Sequence, residues 1–133
     1  MQTVKKNLEK VLSALGCHDR ELSVLFTDNK HIAELNEQYL HRTGPTDVLS
    51  FPMSGGLPPE VETPMMGDVV VSVDTALEES RRLDEPLDKT IYRLLIHGIL
   101  HLLGYDHEVS EEEEVRMERE QERLLRYIEE EES

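Results

Sequence analysis

Three histidines, His97, His101 and His107, are spaced as ligands of one metal ion, in the segment HGILHLLGYDH. In a helix, residues i and i+4 lie on one face, about 6 Å apart along the axis, so two imidazoles can converge on one ion. Gly104 lets the chain turn, so that His107 can return as a third ligand. Three imidazoles leave a fourth tetrahedral position for water, as in catalytic zinc sites, where the ion lowers the pKa of that water to about 7. Ni²⁺ or Co²⁺ would fit the same ligands.

The spacing is that of the zincin motif H-E-x-x-H-x-x-G-x-x-H with one change, because Gly98 stands where the glutamate general base belongs. Peptidase chemistry is therefore disfavoured. The remaining expectation is a metal-bound hydroxide, or a metal acting as a Lewis acid, that attacks or polarises a different electrophile. Either helical histidine alone is more often a satisfied core residue, but the three together favour a metal. The other histidines show no such relation and are expected at the surface; they are His18, His31 and His41.

Hydrophobic periodicity predicts the elements that position these histidines. Helices are expected over 3–15, 28–39, 74–82, 86–103 and 110–127, and short strands over 21–26, 48–51 and 69–73. Asp28 is a predicted N-cap, and Ser110 with Glu113 forms a predicted capping box. The helix over 86–103 is apolar almost all round in its second half, which places it centrally. The pattern favours an α+β or α/β domain with a small sheet.

Length and charge narrow the class of protein. The chain has 133 residues, enough for one domain over 1–133, and its end, at about 128–133, reads as a solvated acidic tail. One cysteine, Cys17, excludes an internal disulfide, and neither a signal peptide nor a membrane span is indicated, so a reducing intracellular compartment is expected. The net charge of −15 argues against non-specific attraction to nucleic acid or anionic membranes.

Three segments together resemble the bacterial YbeY family of rRNA maturation factors, which are zinc-dependent single-strand endoribonucleases. They are PTDVLSFP at 45–52, GDVVVS at 67–72 and the histidine segment at 97–107. Looser matches are Leu35-Asn36 with Tyr39, and Met117 with Glu120, so the resemblance covers roughly 35–120. It implies an α+β domain with a small mixed sheet flanked by helices, a metal-binding central helix, and one Zn²⁺ held by the three histidines.

The family also carries a catalytic arginine directly after the tyrosine of the Leu-Asn segment. Here Leu40 follows Tyr39, and the nearest arginine is Arg42. We assign the role to Arg42, since two residues along a loop can still deliver the guanidinium to the same place; its alternative is a solvated loop arginine. The expected catalytic set is therefore Arg42 with the three histidines.

The resemblance implies single-strand endoribonuclease activity in 16S rRNA maturation and small-subunit biogenesis, in the cytoplasm. Its implied partners are ribosomal RNA, the small ribosomal subunit, and a ribosomal protein or GTPase. Proton transfer is left to Asp106, the ribose 2′-hydroxyl or solvent. The favoured role of Asp106 is instead to orient a ligand imidazole or a loop amide. The acidic charge has two expected resolutions. One is a positive strip around the site, formed with zinc by Arg42, Arg81, Arg82, Lys89 and Arg93. The other, which the family's association with small-subunit assembly favours, is substrate presented on the ribosome or by a protein partner. The alternatives are a non-catalytic zinc-containing assembly factor and, third, a hydrolase of small esters or amides.

Overall fold

The computed structural model describes residues 2–17, 20–52, 65–105 and 110–132. In chain order the elements are α1 (Gln2–Ala14), β1 (Glu21–Thr27), α2 (Asn29–Leu40), β2 (Val48–Pro52), β3 (Met65–Ser72), α3 (Val73–Arg82), α4 (Leu87–Leu102) and α5 (Glu111–Glu132). This confirms the expected α+β fold with a small mixed sheet. In the described part of the chain, no helix is long and apolar enough to cross a membrane.

The sheet has the strand order β1-β3-β2, with β1 parallel and β2 antiparallel to β3. The central strand β3 is buried on both faces, as its run of valines predicts. Val69 and Val71 belong to the main core, whereas Val70 packs on the opposite face with Ile32 of α2 and Leu49 of β2. The sheet therefore lies between Ile32 of α2 and the main core, while the N-terminal end of α2 contacts α3 through Asn29.

Helix α4 lies at the centre of the main core, as its apolar second half predicts. It contacts α3, α5, β2 and β3, and its buried residues include Leu95, Ile96, Ile99 and Leu100. On the far side of the core, α1 packs against α5, with Val11 among the fully buried side chains. This packing holds the last two turns of α4 between the sheet and α5.

Some boundaries differ from those expected. Val73 begins α3 instead of ending β3, because the hydroxyl of Ser72 caps the helix by accepting a hydrogen bond from the Thr75 N–H, 3.3 Å away. Strand β3 starts at Met65 instead of 69, and most of the expected loop over 53–66 lies outside the described residues. The expected tail over 128–133 is helical through Glu132, and its first residue, Ile128, is buried in the core.

A candidate metal centre in a cleft

Helix α4 brings the imidazoles of His97 and His101 together, as the i, i+4 spacing predicts. Their Nε2 atoms are 3.0 Å apart, and the ring centroids are 4.6 Å apart with the planes at 79°. Both side chains are half-buried at the C-terminal end of the helix. Two imidazole nitrogens thus point at one position that solvent can reach.

The separation of the two Nε2 atoms fits a shared zinc ion. Two ligands at the usual Zn–N distance and a tetrahedral angle are about 3.3 Å apart, so a small rotation of either ring is enough. His107, the expected third ligand, and Asp106 lie outside the described residues. Within 2–17, 20–52, 65–105 and 110–132, no three metal-ligating side chains are grouped, so the third ligand stays a prediction.

A glutamine from α5 contacts the first histidine on the side away from His101. The Oε1 atom of Gln121 is 2.9 Å from Nδ1 of His97. Our sequence interpretation did not single out this residue. The available signal was its position on the core-facing side of α5, four residues after the buried Met117 and three before the buried Leu124.

The geometry explains why the second motif position is glycine. Gly98 is buried against the sheet, and a Cβ atom there would lie 2.7 Å from Cγ1 of Val69 and 3.1 Å from Oγ of Ser50. The Ser50 hydroxyl donates a hydrogen bond to the Gly98 carbonyl at 2.9 Å. A glutamate at this position would therefore collide with Val69 and Ser50 of the sheet, unless the helix moved.

The two histidines line a cleft of about 810 Å³ between the end of α4, strand β2 and the loop that follows α2. Arg42, on that loop, lines the same cleft, and its side chain is exposed. Asn36 holds the loop through two hydrogen bonds. Its side-chain amide donates to the Gly44 carbonyl at 3.0 Å, and its backbone carbonyl accepts from the Arg42 backbone N–H at 3.3 Å. The expected arginine is thus on the cleft wall, beside Leu40.

The other cations of the expected positive strip do not surround the cleft. Of the five candidates, Arg42 alone is among the described residues that line it. Arg93 forms an ion pair with Glu85, and Lys89 pairs with Glu129 at 3.4 Å. Apart from Arg42, these cations therefore do not form the expected strip along the described lining of the cleft. His31 and His41 are exposed, as expected, and His18 lies outside the described residues.

A pair of carboxyl groups lies beside the cleft wall. Asp47 lines the cleft, and its Oδ1 accepts from the Val48 N–H at 2.8 Å. Burial, a hydrogen bond with the Asp47 carboxyl and repulsion from it together raise the pKa of Glu79 to about 7, against the pull of Arg93 and Arg82. Near neutral pH, the Glu79 carboxyl group of α3 is therefore partly protonated and faces Asp47, the residue before β2.

Comparisons with known proteins agree on one family. The family model described as endoribonuclease YbeY matches residues 1–129. An endoribonuclease YbeY from Syntrophotalea carbinolica is 42% identical over 116 residues, which are 87% of this chain and 77% of the relative. The endoribonuclease YbeY of Aquifex aeolicus is 49% identical over 114 residues, which are 84% of this chain and 72% of that relative. The solution structure of a Thermotoga maritima protein matches with a TM-score of 0.67 and 28% identity, over 96% of this chain and 79% of that one.

Proposed function

Because this chain belongs to the endoribonuclease YbeY family, we propose that it is a single-strand-specific, zinc-dependent endoribonuclease. One observation supports this proposal above the others. The Nε2 atoms of His97 and His101 converge within 3.0 Å in a cleft whose wall also carries Arg42. Imidazoles and a guanidinium on one open cleft match the needs of phosphodiester cleavage, which are charge neutralisation and positioning.

His97, His101 and His107 would hold the zinc ion. When bound, zinc supplies Lewis-acid polarisation of the phosphoryl group and a nucleophile at neutral pH. The Arg42 guanidinium would bind the equatorial phosphoryl oxygens, where negative charge builds up in the transition state. Gly98 offers no group for proton transfer, which leaves Asp106, the ribose 2′-hydroxyl or solvent.

The net charge of −15 shapes the proposed setting of this activity. A strongly acidic protein gains little from long-range attraction to RNA, so substrate presented by a partner suits it better than free RNA. We therefore propose that it acts in the cytoplasm on 16S rRNA of the small ribosomal subunit, with a ribosomal protein or GTPase as its partner. Weak, strongly salt-dependent binding to free RNA is expected.

The test combines zinc content with cleavage of a single-stranded RNA. We expect about one zinc per chain in the wild type, loss of zinc and cleavage in His101→Ala, and zinc without cleavage in Arg42→Ala. His31→Ala and Arg82→Ala are matched controls, since both side chains are exposed and neither lines the cleft. Full cleavage by zinc-free protein, or by Arg42→Ala, would contradict the assigned roles.

The second candidate is a non-catalytic zinc-containing assembly factor on the small subunit. The acidic surface and the glycine at the general-base position favour it. It predicts that wild-type protein free of contaminating nucleases binds zinc but does not cleave single-stranded RNA. It also predicts that His101→Ala impairs subunit assembly without any change in cleavage.

A further inference from the structure

Gln121 is a polar side chain on the core-facing side of α5. Its neighbours on that side, Met117 and Leu124, are 2% and 0% exposed. A half-buried amide in such surroundings needs a hydrogen-bonding partner, because leaving a desolvated donor or acceptor unsatisfied is destabilising. The partner is His97, whose Nδ1 lies 2.9 Å from the amide oxygen.

This contact determines where the imidazole hydrogen sits. An amide oxygen only accepts, so Nδ1 of His97 must carry the hydrogen and Nε2 must carry the lone pair. That lone pair points at Nε2 of His101, 3.0 Å away. At this distance between two neutral rings, one of the two nitrogens must carry a hydrogen and donate it to the other. Without metal, Nε2 of His101 would carry this hydrogen. With a metal ion bound between the rings, both Nε2 lone pairs would instead be directed at the ion.

We propose that Gln121 is a positioning residue that holds His97 as the Nδ1–H tautomer and aims its Nε2 lone pair at the metal position. The inference rests on the proposed zinc-dependent function. Hydrogen bonds from ligand histidines to such outer partners commonly change metal affinity by about 10–100-fold. The neutral amide orients the ring without adding negative charge, whereas a carboxylate would also make the imidazole a stronger donor.

The first test is nitrogen NMR of the histidine rings in zinc-free wild-type protein, at a pH where imidazoles are neutral. We expect the hydrogen of His97 on Nδ1, and a mixture of tautomers in Gln121→Leu. A hydrogen on Nε2 in the wild type would overturn the inference, because the amide nitrogen of Gln121 would then be the donor.

The second test is zinc affinity, measured by competition with a chromogenic chelator, which is independent of RNA cleavage. Gln121→Leu should weaken zinc binding about 10–100-fold, and Gln121→Glu should bind at least as tightly as the wild type. Glu118→Leu, at an exposed position of the same helix, controls for the leucine. Equal affinity in Gln121→Leu and the wild type would overturn this inference alone. A wild type that takes up no zinc would overturn the zinc site, and this inference with it.

Discussion

The contact between Gly98 and the sheet can be tested with one added methyl group. In Gly98→Ala, the new Cβ would lie 2.7 Å and 3.2 Å from the two methyl carbons of Val69, where ordinary contact begins near 3.4 Å. Val69 is fully buried and β-branched, so it cannot rotate away, and α4 must shift from β3. Overpacking of this kind lowers the free energy of unfolding by about 1–3 kcal/mol. Replacing a mid-helix glycine by alanine raises it by about 1 kcal/mol.

We therefore expect Gly98→Ala to lower the free energy of unfolding by up to about 2 kcal/mol, despite its better helix propensity. The decisive measurement is a double-mutant cycle with Val69→Ala, followed by urea denaturation. Val69→Ala removes both methyl groups, so adding Gly98→Ala to it should be neutral or stabilising, with a coupling energy of about 2 kcal/mol. An equal cost in both backgrounds would refute the idea that this contact excludes a side chain at the second motif position.

Two further predictions concern the polar groups around the cleft. The pKa of Glu79 is about 7 in the folded protein, against 4.5 for an ordinary glutamate, so stability falls as the pH rises from 4.5 to 7. Glu79→Gln should therefore raise Tm by about 3–5 °C above pH 7 and have no effect below pH 4.5. A pH-independent difference in Tm would show that the pKa of Glu79 is not raised in the folded protein. Asn36→Ala frees the Gly44 carbonyl and the loop that carries Arg42, so RNA cleavage should fall while zinc content stays unchanged. Unchanged kcat in this variant would exclude a positioning role for Asn36.

Local signals predicted the helix that carries the site. The i, i+4 spacing placed His97 and His101 on one face, and Asp28 and Ser110 are N-caps as expected, accepting from the N–H groups of His31 and Glu113. These features depend on residues a few positions apart, which is why sequence patterns indicate them.

Features that join distant segments were beyond the sequence patterns. Gln121 contacts His97 across 24 positions, and Asp47 meets Glu79 only because α3 packs beside the start of β2. The strand order also depends on which segments lie next to each other, since β3 pairs with β1 across a long connection. The boundary at Ser72 was misplaced because four valines among residues 69–73 suggested a strand, whereas the Ser72 hydroxyl caps α3 and ends the strand one residue early.

The packing of α1 against α5 has a consequence for the order in which the molecule can form during synthesis. Val11 of α1 is completely buried in a core that also contains Leu124 and Ile128 of α5. A ribosome makes about 5–20 residues per second, and it completes α1 many seconds before the last turns of α5 leave the exit tunnel. Throughout that interval, the apolar side of the first helix lacks its final partner. Gln121 reaches His97 in the same closing step, so the nascent chain acquires the supported histidine pair only after α5 has been made.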